Sequence, residues 1–258
     1  MSRFFLQALL ISLITSLTSC MSFEPDQEYY ELRTYKIDSA ENHKTVMNYI
    51  MYSYKPALEN MGLERIGVFV NAKDQNDYSI YMVIPFEDLE DYANRSDMLF
   101  RDYSYMNSAR NFFNIPKKTP PYTRIESSFF KAFSGMPVME IPQFAQDKKP
   151  RIFEMRIYES HNEEKAMLKR DMFNVDKEIQ LMRDLKMGPV FYGECLSGHN
   201  APNLTYFLSA ESFEDSQEYW KVFRGHPRWQ KMKAIERYKD TVSKITSVFL
   251  KPANCSDW

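Results

Sequence analysis

Apolar and polar residues alternate along a short segment near residue 30, and the same pattern returns near residue 153. Residues 30–35 read Tyr-Glu-Leu-Arg-Thr-Tyr, and residues 153–158 read Phe-Glu-Met-Arg-Ile-Tyr. Alternation with a period of two is typical of a β-strand. The pattern therefore predicts two strands at equivalent places in a duplicated chain.

Apolar residues at helical spacing follow each of these strands. The two stripes are Val46, Ile50, Ala57 and Met61 in the first copy, and Leu168, Met172, Val175, Ile179 and Met182 in the second. Residues 38–41 and 160–163 have the spacing of a capping box, and Met-Gly pairs at 61–62 and 187–188 are typical helix ends. Each copy is therefore expected to place a helix after its first strand.

Further matches between the copies occur in the same order. Phe-Glu-Asp stands at 86–88 and again at 213–215, and an apolar final strand is expected at 127–133 and 245–251. Matches in a constant order indicate an internal duplication. The elements of each copy are predicted to run β-α-β-β-α-β, which is the ferredoxin-like unit. Its helices cover one sheet face, so we expect the two bare faces to close on each other.

This organisation divides the chain into five segments. Residues 1–20 are expected to be a signal peptide and residues 21–27 a tether. The first repeat takes residues 28–136, a linker with three prolines takes residues 137–150, and the second repeat takes residues 151–258.

The chain begins with Arg3 and a largely apolar run from Phe4 to Leu17. That run is short for a membrane span, which needs about 20 apolar residues, but it has the form of a secretory signal. Residues 17–20, Leu-Thr-Ser-Cys, resemble the lipobox of bacterial lipoproteins. The resemblance implies lipidation of Cys20 and a membrane-anchored protein of the cell envelope, on the inner or the outer membrane. A plain signal peptide is the alternative.

Composition excludes several classes of function. Lys and Arg number 33 and Asp and Glu 35, so no broad basic surface for nucleic acid is expected. Only 7 glycines are present, which argues against Gly-rich phosphate loops. No metal site or cofactor is expected, because the histidines lack the spacing of metal ligands. The four histidines are His43, His161, His199 and His226.

Two further cysteines, Cys195 and Cys255, lack the Cys-x-x-Cys spacing of metal or redox sites. In an oxidising compartment they either pair or remain free thiols. The sequence leaves both alternatives open.

The repeated motif at 30–35 and 153–158, together with Arg-Trp-Gln at 228–230, resembles the NIPSNAP family of the dimeric α+β barrel superfamily. The resemblance covers residues 28–133 and 151–250, and the second copy is the closer match. The first copy departs from the pattern after Phe86. The resemblance implies an α+β fold of tandem ferredoxin-like repeats with helices on the outer sheet faces. It implies no established catalytic residue, and an oligomer is compatible with it.

The polar side chains of the repeated strands are the best candidates for a site. Three residues that lie two apart share one strand face. We expect the more apolar alternate residues to meet the helices and the polar set to face the barrel interior. There they either bind an anionic or aromatic small molecule or pair with each other and fix the sheet register. The candidates are Glu31, Arg33, Tyr35, Glu154, Arg156 and Tyr158.

Three functional hypotheses follow. The preferred one is a lipid-anchored module that binds a small ligand or a protein partner. The alternatives are an oxygenase-like or haem-linked enzyme of the α+β barrel group and a structural envelope protein with a filled barrel. A cavity of about 300 Å³ or more beside the arginines favours the first two, and a histidine projecting into it favours the enzyme.

Overall fold

A computed structural model describes residues 26–258 of the chain, so the signal segment, Cys20 and most of the tether lie outside the described residues. The described strands are β1 (Tyr29–Lys36), β2 (Gly67–Asn71), β3 (Ile80–Phe86), β4 (Arg124–Ala132), β5 (Ile152–Glu159), β6 (Pro189–Ser197), β7 (Asn203–Ala210) and β8 (Lys244–Pro252).

Helices connect these strands in both halves of the molecule. They are α1 (Ala40–Tyr49), α2 (Lys55–Asn60), α3 (Leu89–Arg101), α4 (Tyr103–Ser108), α5 (Arg110–Phe113), α6 (Gln143–Gln146), α7 (Glu163–Asn174), α8 (Glu178–Asp184), α9 (Phe213–Gly225) and α10 (Pro227–Lys233). A π-helical turn, Ile50–Tyr54, joins α1 to α2, and a 3₁₀ turn spans Glu236–Tyr238.

The strands form one closed antiparallel barrel in the order β1-β3-β2-β8-β5-β7-β6-β4. The two halves meet at two seams, where β2 pairs with β8 and β4 pairs with β6. Each half supplies four strands in the predicted element order. The predicted fold class and the closure of two sheets within one chain are thus confirmed.

Local signals set most of the element boundaries. Pro227 cannot continue a helix but suits a first turn, so α9 ends at Gly225 and α10 begins at Pro227, as the sequence predicts. The N-caps of α1 and α7 lie slightly after the positions that the expected capping boxes give. Ser39 and Asn162 are the N-caps, because their side chains accept hydrogen bonds from the backbone N–H groups of the first turns.

The centre of the barrel interior is apolar, and its filling corrects one prediction. Tyr30 and Leu32 of β1 pack there with Phe153 and Met155 of β5. The alternate, polar residues of both strands therefore face the helices, and the expectation that they face the barrel interior was wrong. The physical reason is that α3 and α9 provide Arg95 and Trp220 as partners for the buried glutamates, whereas the centre of the barrel is filled with apolar side chains.

Trp258 closes one end of the barrel. Its side chain is fully buried against Phe69, with ring centroids 5.0 Å apart, and against Phe153 at 5.6 Å. The indole Nε1 donates to the Arg65 carbonyl at 2.7 Å. Arg151 donates to the Trp258 carbonyl at 2.8 Å. These contacts hold the C-terminal segment as part of the core.

Cys195 and Cys255 are free thiols in the structure. Their surroundings differ, since Cys195 packs against the barrel interior and Cys255 against the helix layer of the first half. Burial raises the pKa of both thiols. Within residues 26–258, no helix combines the length and apolarity needed to cross a bilayer.

Candidate functional site

The six candidate residues lie between the barrel and its helices, in two separate places. Glu31, Arg33 and Tyr35 lie under the helices of the first half, where Tyr35 packs with that helix layer. Their counterparts in β5 lie under the helices of the second half. The fold therefore places the two triplets, each a Glu, an Arg and a Tyr of one strand, on opposite sides of the molecule. They do not share one pocket.

In the second half the triplet is fully engaged in internal contacts. The Glu154 carboxylate accepts hydrogen bonds from Arg156 Nη1, Trp220 Nε1 and Ser247 Oγ, each at 2.6 Å. Arg156 also donates to the Tyr158 hydroxyl at 3.2 Å and lies 4.3 Å from the Trp220 ring centroid. The space beside Glu154 amounts to about 10 Å³. This place has no room for a ligand.

In the first half a different cation neutralises the glutamate. Arg95, on α3, forms a buried ion pair with Glu31, and Ser127 Oγ donates to the same carboxylate at 2.6 Å. Arg33 is left at 3.9 Å from the carboxylate. Ser127 and Ser247 occupy equivalent positions, opposite Arg33 and Arg156 in the strand pairs. The two halves therefore differ in the helix residue that reaches the carboxylate, Arg95 or Trp220.

Because Arg95 neutralises Glu31, Arg33 keeps unused hydrogen-bonding capacity. Its Nη1 donates to the Tyr54 hydroxyl at 3.1 Å. Its Nε is buried and has no hydrogen-bond partner within residues 26–258. This nitrogen has almost no accessible surface and lies 3.9 Å from Glu31 Oε1, so it lies against the glutamate rather than the cavity. The Arg33 side chain as a whole is 18% exposed and lines a cavity, where its guanidinium can meet a ligand.

The cavity has a volume of about 360 Å³, which is above the lower limit of about 300 Å³ for a small-molecule site. It lies beside Arg33 and Tyr35 but not beside Arg156 or Tyr158. Its floor is β1 and β4, and its walls come from the π-helical turn, from α3 to α5 and from the loop before β4. The main lining residues are Arg33, Tyr35, Tyr49, Tyr54, Arg95, Leu99, Tyr105, Phe112, Lys117 and Tyr122.

The π-helical turn presents two of the tyrosines. Residues five apart lie on different faces of an α-helix, but the wider π-helical turn brings Tyr49 and Tyr54 into a stack with centroids 5.8 Å apart. Pro56 follows directly and cannot donate to the preceding turn, which favours such a widened turn. The local sequence thereby directs both rings toward the cavity.

The tyrosine hydroxyls remain protonated. Burial raises the pKa of Tyr54 to about 12, although the neighbouring Arg33 charge opposes the shift. Burial also raises the pKa of Tyr35 and of Tyr49 well above the ordinary value. Tyr49 and Tyr105 share a hydrogen bond of 2.7 Å. The cavity therefore offers neutral hydroxyl groups and a guanidinium rather than tyrosinate anions.

In the second half a buried ion pair lies beside Tyr158. The Glu178 carboxylate accepts from Lys169 Nζ at 2.9 Å, and both side chains are buried. Lys169 Nζ is also 5.5 Å from the Tyr158 ring centroid. Burial raises the pKa of Glu178, against the effect of Lys169. The second half thus has a buried carboxylate near Tyr158, whereas Tyr35 of the first half lines a cavity.

The cavity lacks the commonest haem ligands. Haem iron is commonly held by His, Cys or Met, or by Tyr as the anion. The described cavity-lining residues include no His, Cys or Met. His43 instead contacts the Tyr78 carbonyl at 2.8 Å, and His226 caps α10. No histidine of the described residues thus projects into the cavity to favour the enzyme hypothesis.

A smaller cavity of about 210 Å³ lies inside one end of the barrel. Thr34, Lys36, Glu126 and His199 line it, and Lys36 pairs with Glu126 at 3.3 Å. None of the six candidate residues lines it.

Sequence reasoning missed the helix residues that distinguish the two halves. Tyr49 and Tyr54 are not at α-helical spacing, and Arg95 lies in a region where the first copy departs from the repeat. A comparison of the copies gives no signal, since the Phe-Glu-Asp match at 86–88 and 213–215 aligns Trp220 with Ala93 and not with Arg95.

Several solved structures are similar to this chain in fold. A proposed monooxygenase from Lactobacillus acidophilus NCFM superposes with a TM-score of 0.54 at 10% identity, over 88% of this chain and 94% of its own. A proposed monooxygenase from Fusobacterium nucleatum gives 0.52 at 10% identity, over 88% and 93%. An anthrone oxidase-like protein gives 0.52 at 10% identity, over 89% and 93%. At these identities the likeness concerns the fold alone.

The family comparison concerns the second half. No curated protein matches this chain. Residues 153–257 match the NIPSNAP family model, a span that runs from β5 to β8. The second half of this α+β barrel is thus similar to the NIPSNAP family.

Proposed function

We propose that the first half of the barrel binds a small anionic molecule with an aromatic or other planar apolar body. The observation that carries the proposal is the guanidinium of Arg33, which lines a cavity of about 360 Å³ while Arg95 neutralises Glu31. A carboxylate or similar anion would pair with that guanidinium through a charge-assisted hydrogen bond.

The charges around the cavity favour an anion. Arg33 and Arg95 are both cationic, and Glu31 is the one carboxylate that pairs with either of them among the described residues. Lys117 adds a further positive charge at the lining. Because a charge in a partly dry site interacts more strongly than in water, this excess favours a negative ligand group.

The rings around the cavity favour a flat apolar body. Tyr49 stacks on Phe112 with centroids 4.0 Å apart and nearly parallel planes. Tyr35 contacts Tyr122 edge-to-face at 5.7 Å. Aromatic walls of this kind pack well against planar ligands, and the tyrosine hydroxyls add hydrogen-bond donors.

The proposal is tested with the anion 2-naphthoate and its neutral analogue 2-naphthamide in titration calorimetry. We expect the anion to bind at least tenfold more tightly, and Arg33→Gln to abolish that preference. Native mass spectrometry of the protein from its own host should in addition show a retained small anion. Equal binding of both probes, unaffected by Arg33→Gln, would refute the proposal.

Two further variants distinguish a loss of ligand binding from a loss of folding. Ser96 lies on α3 at the cavity wall and is exposed, so Ser96→Trp should obstruct entry without disturbing the core. Ala93 is exposed on the same helix but does not line the cavity. Ala93→Trp is therefore the matched control, and it should bind 2-naphthoate as the unmodified protein does.

We further propose that the protein is exported and held in the cell envelope by lipid on Cys20. The support is the apolar run followed by Leu-Thr-Ser-Cys at 17–20. Covalent acyl chains anchor a protein through the burial of their methylene groups in the bilayer.

A further inference from the structure

Exposed aromatic and basic residues lie on the helices, loop and strand that wall the cavity, and three of them, Phe100, Phe113 and Lys117, line it. We name this set the mouth surface. It comprises Phe100, Arg101, Tyr103, Arg110, Phe113, Lys117, Lys118 and Arg124, all exposed. They come from the end of α3, from α4 and α5, and from the start of β4 with the loop before it.

The aromatic side chains of the mouth surface are unusually open to solvent. Tyr103 is 79% exposed and Phe100 is 62% exposed. Phe100 and Phe113 lie side by side, with ring centroids 6.2 Å apart. Adjacent exposed aromatic rings at a rim mark an interaction surface rather than ordinary scattered exposure.

The charge of the mouth surface differs from that of the whole protein. Residues 100–124 contain five basic residues and a single acidic one, Asp102, in a chain whose net charge is −2. Asp102 is used as the N-cap of α4. The nearest acid before this stretch is Asp97, one turn earlier on α3.

These cations are unpaired. Within residues 26–258, none of the five basic residues of the mouth surface lies within ion-pair distance of a carboxylate, whereas basic residues elsewhere commonly do. Arg183 pairs with Glu140 and Arg228 pairs with Asp184 at 2.6 Å. A cluster of free cations around exposed aromatic rings lacks a negative partner.

We propose that the mouth surface docks on an anionic lipid bilayer. Aromatic rings partition to the boundary between headgroups and acyl chains, and basic side chains beside them attract anionic headgroups. A second copy of the chain fits poorly, because a symmetric contact would bring two positive surfaces together. The docking does not require that the cavity bind a ligand, although Phe100, Phe113 and Lys117 also line it.

The test uses the chain beginning at Met21, which contains all the described residues and lacks the apolar run and Cys20. Sedimentation with vesicles of phosphatidylcholine and phosphatidylglycerol should carry the protein down, and pure phosphatidylcholine should not. Each basic residue near an anionic surface contributes about fivefold to partitioning, so Lys117→Gln/Lys118→Gln should weaken binding about 25-fold. Phe100→Ser/Tyr103→Ser should weaken it as well.

The matched control is Lys231→Gln/Lys233→Gln, which removes two exposed lysines from α10 of the second half. This control should bind as the unmodified chain does. An equal loss of vesicle binding in the control variant, or no binding of the unmodified chain to anionic vesicles, would overturn the proposal. Sedimentation velocity adds a further outcome, since a dimer that dissociates in Phe100→Ser/Tyr103→Ser would assign the surface to a second copy instead.

Discussion

Arg33 lies 3.9 Å from the Glu31 carboxylate, although the two side chains share one face of the same strand. The equivalent pair in the second half, Arg156 and Glu154, is joined at 2.6 Å. Arg95 accounts for the difference, because it pairs with Glu31 from α3 and leaves Arg33 to the cavity. One duplicated motif thus serves as an internal ion pair in one half and as a candidate binding group in the other.

The first prediction concerns stability. Arg156→Gln should destabilise the protein by about 3 kcal/mol, because the buried Glu154 loses its cation. Arg33→Gln should cost about 1 kcal/mol, the value of its hydrogen bond to Tyr54, since Glu31 keeps Arg95. Urea unfolding at neutral pH measures both. Equal losses would mean that the two arginines have the same structural role.

A second prediction concerns Arg95. Arg95→Gln removes the cation from Glu31, which is nearly fully buried, and should cost about 3 kcal/mol. It should also weaken the binding of 2-naphthoate, because Arg33 becomes the remaining partner for Glu31. Calorimetric titration and urea unfolding of this variant measure the two effects. Unchanged affinity would contradict the division of roles between the arginines.

The third prediction concerns alkaline pH. Tyr54 has a folded-state pKa of about 12, above its unfolded value of 10.0. A raised pKa means that the folded state holds the proton more tightly, so this stabilisation is complete below pH 10 and is lost as the pH rises from about 10 to 12. Tyr54→Phe should reduce the alkaline loss of stability. Tyr52→Phe is the control, because Tyr52 is 69% exposed, and it should leave the loss unchanged.

The fourth prediction concerns the barrel end. Trp258→Ala removes a fully buried indole and its hydrogen bond to Arg65, and should cost about 3–5 kcal/mol. Trp258→Phe should cost less, because it keeps much of the packing. The melting temperature of both variants checks this. A melting temperature unaffected by Trp258→Ala would contradict the placement of the indole in the core.

The fifth prediction concerns localisation. Cys20→Ala should make the protein extractable from the membrane fraction by high salt, because it removes the site of lipidation and leaves only the salt-sensitive contact of the mouth surface. Cys195→Ala is the control and should stay in the membrane fraction, since that thiol packs against the barrel interior. Cell fractionation followed by detergent phase separation distinguishes them. Retention of Cys20→Ala in the membrane fraction after a high-salt wash would rule out the lipid anchor.

The repeats could be recognised from the sequence for a simple physical reason. Strand alternation and helical spacing are local, so residues 30–35 and 153–158 reveal their conformation without knowledge of their neighbours. Turn residues such as Pro227 act locally as well. The element order, and with it the closed barrel, followed from these signals.

Alternation alone could not assign the two faces of a strand. It separates Glu31, Arg33 and Tyr35 from the residues between them but does not say which set meets the helices. That choice depended on Arg95 and Trp220, which are distant in sequence and become partners of the two glutamates only in the folded chain. Local pattern therefore determined the repeats and their order. Tertiary packing decided where the buried charges lie, because a buried carboxylate goes where a donor can reach it.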